Sequence, residues 1–392
     1  MGKVKTVTVY LDHAATTPML PAARDAWRDS LDLVGNPSSI HSAGQNAKRI
    51  LEEAREHVAA SLGCDPIEIV FTSGGTESVN LAIKGMYWAA IAADLAQRRI
   101  LVPRGEHHAT LDTIEWLERH EGAIIQWLPI DEVGRVSLDA FEEALDSHDD
   151  IALATFLWAN NEVGTLQPMA EITALARKYD VPVHADAVAA YRHVPIDFAS
   201  AGLAALSVSA HKIGGPLGMG ALVLSRKATV VPLIHGGGQQ RQVRSGTQDA
   251  PAARAFAVAA AHPVADLSGL RDRLIAGVHK AVPSAILRGD PIDRLDNNAH
   301  FTFPGCEGDS LLFLLDAAGV SVSTGSACQA GIPEASHVLM GMGLDEDDAR
   351  GALRFTLGHT STMSDVEALL SALPAAHAKA QKAGYSTREV GH

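Results

Sequence analysis

Cysteine is scarce in this chain: Cys64, Cys306 and Cys328 are the only three among 392 residues. An odd number of scattered cysteines without a C-x-x-C pair indicates neither a disulfide framework nor a zinc site. The 18 histidines include no H-E-x-x-H motif, and their densest group, GEHHATLD (105–112), fits no standard zinc-ligand spacing. We therefore predict a protein that binds no metal.

Positive charge is also in deficit, with 32 Lys and Arg against 46 Asp and Glu and a net charge of −14. Nucleic acids and anionic membranes attract basic surfaces, so we expect neither as the main partner. The apolar runs are too short and too interrupted to span a bilayer. The N-terminal MGKVKTVTVYLDH leads directly into a strand-like pattern and does not look like a signal peptide. We expect a cytoplasmic protein.

Apolar strand-like runs alternate with amphipathic helical stretches from residue 20 to about residue 262. IEIVFTSGG (67–75), for example, reads as a buried strand and a turn, and residues 76–97 read as the helix that follows. This rhythm predicts a mostly parallel sheet that is covered by helices on both faces. In such sheets the ligand binds at the carboxyl ends of the strands.

The pattern changes after about residue 263, where long helices surround a few short strands. We predict an α/β protein with a large domain over residues 17–262. A smaller α+β domain would consist of residues 1–16 and 263–392.

The predicted strand ends carry unusual groups. In TSGGTES, Gly75 and Thr76 open a helix, and backbone N–H groups, the helix dipole and a hydroxyl together form an anion site. An ordinary strand-to-helix turn is the alternative, and no G-x-G-x-x-G or G-x-x-x-x-G-K-[ST] motif is present. Asp186 ends another strand in an apolar stretch, where a carboxylate is costly without a cationic or protonated partner.

Lys212 follows a third strand, in SVSAHKIGGP, where a lysine could simply extend its amine to water. Together, however, an anion cradle, a buried aspartate and a strand-end lysine at one sheet edge match the needs of pyridoxal phosphate. This cofactor requires a phosphate site, a partner for its ring nitrogen and a lysine amine.

The chain resembles the NifS/IscS-type cysteine desulfurases. These are pyridoxal phosphate enzymes of the class-V aminotransferase family with the aspartate-aminotransferase-like fold, fold type I. The resemblance runs nearly end to end through the motifs YLDHAATTP, GNPSSIHSAG, FTSGGTESVNLAIKG, WANNEVGT, SAHKIGGPLGMGAL, HGGGQQRQVRSGT, STGSAC and LRFTLGH.

The resemblance implies a role for each matching position. Lys212 would hold the cofactor covalently and move the substrate α-proton, and His107 would stack on the ring and assist proton transfer. Asp186 would pair with the ring nitrogen. The phosphate would be held by Gly75, Thr76, Ser209 and His211, with Thr247 reaching over from the second subunit of a homodimer.

Substrate binding is implied for two further residues. Asn161 would lie beside the cofactor ring and the substrate carboxylate, and Arg354 would bind that carboxylate as a planar fork. The Cys328 thiolate would attack the sulfur of L-cysteine and carry it away as a persulfide, leaving L-alanine. A protein such as an iron–sulfur scaffold or a thiolation carrier would then accept the sulfur. Cys64 and Cys306 match no motif and are predicted to be structural.

Ala189 departs from the family, which usually carries glutamine there to donate a hydrogen bond to the cofactor's phenolic oxygen. Alanine has no donor. Tyr191 shares strand parity with Ala189 but is two residues farther on. Either a water or a neighbouring donor fills the gap, or the site is retuned for another substrate, as in a cysteine or selenocysteine lyase. A non-catalytic scaffold of the same fold is a further alternative.

Overall fold

A seven-stranded sheet organises the larger part of the computed structural model, which describes residues 9–325 and 335–389. The strands, in spatial order, are β2 (Ile69–Thr72), β8 (Gly220–Leu224), β7 (Ala205–Ser209), β6 (Val183–Asp186), β5 (Ile151–Leu157), β3 (Arg99–Pro103) and β4 (Ile124–Leu128). From β7 to β4 all neighbours are parallel, whereas β8 runs antiparallel to both β2 and β7. The predicted α/β class with a mostly parallel sheet is confirmed.

Helices cover both faces of this sheet, which explains why its strands are nearly all apolar. One face packs against α2 (Ser42–Leu62), α5 (Leu138–Ser147), α6 (Met169–Lys178), α7 (Phe198–Ala201) and α8 (Ala250–Ala261). The other face packs against α3 (Gly75–Ala93) and α4 (His108–Glu121). A short helix, α1 (Pro21–Arg28), lies on α8.

A second hydrophobic core combines the start of the chain with its last third. Val9 and Leu11 are buried there with residues that lie between positions 267 and 380. The strands of this part are β1 (Val9–Tyr10), β9 (Ile286–Arg288), β10 (Asn298–Thr302), β11 (Val320–Ser321) and β12 (Ala352–Thr356). Its helices are α9 (Ser268–Ala281), α10 (Gly308–Ala317), α11 (His337–Gly341), α12 (Glu346–Arg350) and α13 (Met363–Glu389).

The two cores are connected by residues 12–17, which we call the N-terminal strap. At one end, the backbone N–H of Ala14 donates to Thr356 Oγ1 of β12 at 2.9 Å. At the other end, the N–H of Thr17 donates to the carbonyl of His211, just after β7, at 3.3 Å. The strap therefore crosses the carboxyl edge of the large sheet, where the sequence predicts the ligand. None of the helices described is long and apolar enough to cross a membrane.

Candidate active site

A cavity of about 380 Å³ opens at the carboxyl edge of the large sheet, and residues of the strap and of β12 complete its wall. It brings together most of the residues singled out from the sequence, namely Gly75, Thr76, His107, Asn161, Asp186, Ala189, Ser209, His211, Lys212 and Arg354. Thr247 is exposed and does not line this cavity. Cys328 lies outside the described residues.

Lys212 lies in a single turn of 3-10 helix, Ala210–Ile213, that follows β7 directly. Gly214 ends this turn in the left-handed conformation, with φ of 79°, and a Cβ there would contact Leu20. The Lys212 amine donates to the carbonyls of Ala14 and Ala15 of the strap. Burial, and then the charge of Arg354, lower the pKa of Lys212 to about 8. Near neutral pH a fraction of this amine is therefore uncharged and nucleophilic.

Asp186 ends β6 at the floor of the cavity and is only 3% exposed. Its Oδ1 accepts from the N–H of Val188 at 2.9 Å. Burial raises the pKa of Asp186 to about 6, although the Val188 hydrogen bond and the Lys212 charge oppose the rise. A carboxylate that is this buried favours a protonated or cationic ligand, such as the ring nitrogen of pyridoxal phosphate.

Glu106 is a buried neighbour of this floor that the sequence reasoning missed. Its Oε1 accepts from the N–H of Leu157, the residue paired with Asp186 across β5 and β6, at 2.7 Å. Its Oε2 has no partner among the described residues. Burial raises the pKa of Glu106 well above its usual value, although the Leu157 hydrogen bond opposes the rise. Its position immediately before His107 was the one available signal.

His107 caps the N-terminus of α4, where its Nδ1 accepts from the N–H of Ala109 at 3.0 Å. Burial, and then the Lys212 charge, lower the pKa of His107 to about 4. The imidazole is therefore neutral at physiological pH. A neutral ring can stack on an aromatic ligand and accept a proton during a reaction.

The start of α3 forms an anion cradle. A Cβ on Gly75 would lie 2.6 Å from Val188 Cγ2, so no side chain fits there, and Ser209 lies on the same side. The Ser209 hydroxyl is buried without a partner among the described residues. An orphaned hydroxyl beside the N–H groups of a 19-residue helix fits a phosphate. His211 lies nearby, where burial and the Lys212 charge lower its pKa to about 4.

Arg354 lies on β12 and is only 5% exposed. Its Nη1 donates to the backbone carbonyl of Asn161 at 2.8 Å, so the structure brings these two predicted residues into direct contact. Its Nη2 donates to Asp12 Oδ1 at 3.1 Å, a partner that the sequence reasoning did not identify. A guanidinium held in this way presents its remaining N–H groups in a fixed plane, which suits a carboxylate.

Ala189 lines the cavity, as the family resemblance implies for a residue that faces the cofactor. Tyr191 does not replace the missing donor, because its buried hydroxyl bonds to Ser61 Oγ at 2.5 Å. His193 lines the cavity instead, with its Nδ1 2.8 Å from Asp296 Oδ1 and its Nε2 3.2 Å from Asn297 Nδ2. The structure thus offers a polar group on this wall that sequence patterns did not reveal.

Two of the three cysteines have environments that suppress reactivity. Burial raises the pKa of Cys64 to about 12 and that of Cys306 to about 11. Because the thiolate is the nucleophile, both thiols are inert near neutral pH. Within the described ranges, no group of three His, Cys, Asp or Glu side chains could hold a metal ion.

His300 provides a test of the electrostatics around Arg354. It faces Arg354 across β10 and β12, and neither ring nitrogen has a partner among the described residues. Burial, and then the neighbouring charges led by Arg354, lower the pKa of His300 to about 3. An unfolded histidine titrates near pH 6.5, so below that pH the unfolded chain gains a proton that the folded chain does not bind. Stability must therefore fall as the pH falls.

We predict that His300→Gln reduces the loss of unfolding free energy between pH 7 and pH 5 by about 2 kcal/mol. Urea denaturation at the two pH values measures this difference. The same change at exposed His120 is the control and should preserve the pH dependence of the parent. Equal pH dependence in parent and His300→Gln would contradict the prediction.

Comparisons with known proteins agree with this geometry. The family model described as aminotransferase class-V matches residues 9–369. An IscS-like cysteine desulfurase from Mycobacterium tuberculosis is 53% identical over 383 residues, which are 95% of this chain and 97% of that protein. A cysteine desulfurase IscS from Methanosarcina thermophila is 41% identical over 93% of this chain and 91% of its own length.

The fold is also found in solved structures. A NifS-like protein from Rickettsia africae superimposes with a TM-score of 0.84 and 32% identity, covering 94% of this chain and 99% of its own. Class-V aminotransferases use pyridoxal phosphate. The buried Asp186, the orphaned Ser209 hydroxyl and the Lys212 amine are suited to hold this cofactor. The chain belongs to the class-V aminotransferase family, and the predicted NifS/IscS-type membership is confirmed.

Proposed function

We propose that this protein is a cysteine desulfurase that converts L-cysteine to L-alanine and collects the sulfur on Cys328 as a persulfide. The proposal rests on one observation: Lys212, Asp186, Arg354 and the anion cradle of Gly75 and Ser209 line the same cavity. Relatives with extensive similarity are described as cysteine desulfurases, which supports the same conclusion.

Each side chain has a defined task in this proposal. Pyridoxal phosphate, when bound, withdraws electrons from the carbon skeleton of the amino acid. The partly neutral Lys212 amine would hold the cofactor and carry the α-proton, and neutral His107 would stack on the ring and assist proton transfer. Asp186 pairs with the ring nitrogen, and Gly75, Thr76, Ser209 and His211 hold the phosphate. Arg354 and Asn161 orient the substrate carboxylate.

Sulfur transfer requires a soft nucleophile, and no cysteine is among the described residues that line the cavity. The Cys328 thiolate attacks the substrate sulfur, an S–S bond forms, and the C–S bond breaks with its electron pair left on carbon. Protonation of that carbon yields alanine. A thiol reductant or an acceptor protein then takes the sulfur from the persulfide, so Cys328 returns to the thiolate.

The proposal includes a homodimer and a protein acceptor of sulfur, in the cytoplasm. Thr247 is exposed and outside the cavity of its own chain, which supports a role in the neighbour's phosphate site. The segment between α1 and α2 exposes Leu31, Val34 and Ile40, apolar surface that a second copy would cover.

The test is to incubate the purified protein with L-cysteine and a thiol reductant and to quantify alanine, pyruvate and sulfide together. Equal amounts of alanine and sulfide are expected. Pyruvate with sulfide would mean β-elimination without a role for Cys328, as in a lyase. A colourless protein without turnover would support the scaffold alternative. Sedimentation of the same sample should give twice the chain mass of 41.3 kDa.

Ala189 separates a tolerated variation from a retuned site. If the site is retuned, Ala189→Gln should shift the pH titration of the cofactor absorbance, because an amide donor stabilises the phenolate. If water or a neighbouring donor already fills the gap, the titration should be unchanged and desulfurase turnover should be retained. We expect the second result, since the residues that the sequence predicts to hold the cofactor and substrate line the cavity, with the exception of Thr247.

A further inference from the structure

Asp12 and Arg354 form an ion pair at the edge of the cavity. Asp12 Oδ1 lies 3.1 Å from Arg354 Nη2, and the two side chains are 20% and 6% exposed, respectively. Arg354 lines the cavity, whereas Asp12 is not part of its lining. The pair is therefore largely shielded from water, where a charge-assisted hydrogen bond is stronger than at the surface.

The hydrogen bonds of Arg354 leave one edge of the guanidinium open. Asn161 accepts from Nη1 and Asp12 from Nη2, while the buried Nε has no partner among the described residues. A guanidinium has five N–H donors in one plane, so two fixed partners determine the direction of the rest. Because Arg354 lines the cavity, a ligand carboxylate there would meet the N–H groups of the guanidinium that remain.

Asp12 is itself held by the backbone around it. The Tyr10 hydroxyl donates to the Asp12 carbonyl at 2.9 Å, and Asp12 forms a β-bridge with Thr356, two residues beyond Arg354 on β12. Two residues farther along the strap, the carbonyl of Ala14 accepts from Lys212. One short segment thus contacts both the arginine and the lysine of the cavity.

We propose that Asp12 is a positioning residue: it fixes the plane of Arg354 so that the remaining N–H groups of the guanidinium select amino acids with a free α-carboxylate. Asp12 acts through Arg354 and does not contact the ligand. This role of Asp12 rests on the proposed function only for the identity of the amino acid that is bound.

The experiment compares Asp12→Ala with the parent, both loaded with cofactor, in calorimetric titrations with L-alanine and L-alaninamide. Loss of a positioned charge-assisted contact should weaken L-alanine binding about tenfold and change L-alaninamide binding less than about twofold. The KM for L-cysteine should rise by a similar factor, with kcat changed less than about threefold. Asp12→Asn keeps an acceptor oxygen at the same place and should restore most of the affinity.

The control is Asp150→Ala, which removes a comparable pair with Arg99 (2.7 Å, side chains 23% and 14% exposed) that does not line the cavity. The Asp150→Ala variant should bind L-alanine as tightly as the parent, even if the variant's melting temperature falls as far as that of Asp12→Ala. Equal weakening of alanine and alaninamide, or the same weakening in Asp150→Ala, would overturn the proposal, as would a parent that binds no alanine. If the parent does not turn over cysteine but binds L-alanine, and Asp12→Ala binds L-alanine more weakly, the proposed function is refuted and the role of Asp12 is supported.

Discussion

Replacement of Lys212 by alanine should reduce turnover of L-cysteine by about 10³-fold or more, because it removes the amine that we propose both anchors the cofactor and carries the α-proton. The geometry explains this expectation. Burial lowers the pKa of the Lys212 amine to about 8. The amine can therefore act as a nucleophile and as a base. Steady-state alanine production at saturating cofactor measures the loss.

A second measurement separates loss of chemistry from loss of folding. Borohydride reduction followed by mass spectrometry should show cofactor fixed to the parent but not to Lys212→Ala. Lys178→Ala is the matched control, since Lys178 is an exposed lysine on α6 that is paired with Glu142 at 3.3 Å. Retained covalent cofactor in Lys212→Ala would show that another amine holds it and would refute the assignment.

Replacement of Cys328 by alanine should lower sulfide production by about 10²-fold or more, because no other positioned thiolate can accept the sulfur. Cys64 and Cys306 are poor substitutes, since burial raises their thiol pKa values to about 12 and about 11. Persulfide labelling after one turnover with cysteine, followed by peptide mapping, should mark the parent at Cys328 and leave the variant unmarked.

Cys64→Ala and Cys306→Ala are the controls for this change. Neither residue lines the cavity, so both variants should retain sulfide production and the label on Cys328. Full turnover by Cys328→Ala would exclude the persulfide mechanism and favour a lyase. A label on Cys64 or Cys306 in the parent would show that the sulfur acceptor had been assigned to the wrong residue.

Much of this protein was predictable from local patterns. Strand β2 occupies residues 69–72 within the predicted strand and turn of 67–75, and helix α3 begins at Gly75, one residue before the predicted start. Such features depend on periodicity and turn chemistry over a few residues, which a single sequence records directly. The carboxyl-edge rule for parallel sheets then predicted Asp186 and Lys212 in one crevice, where the structure has both residues.

The sequence by itself therefore determined the fold class, the cofactor and the residues that would surround it. Only the tertiary structure decided their protonation states and partners, because both depend on burial and on contacts between distant segments. The raised pKa of buried Glu106 beside the end of β5 and the contact between His193 and Asp296 are examples. The clearest is Asp12, which meets Arg354 across 342 residues; no local pattern encodes that contact, since folding alone brings the two charges together.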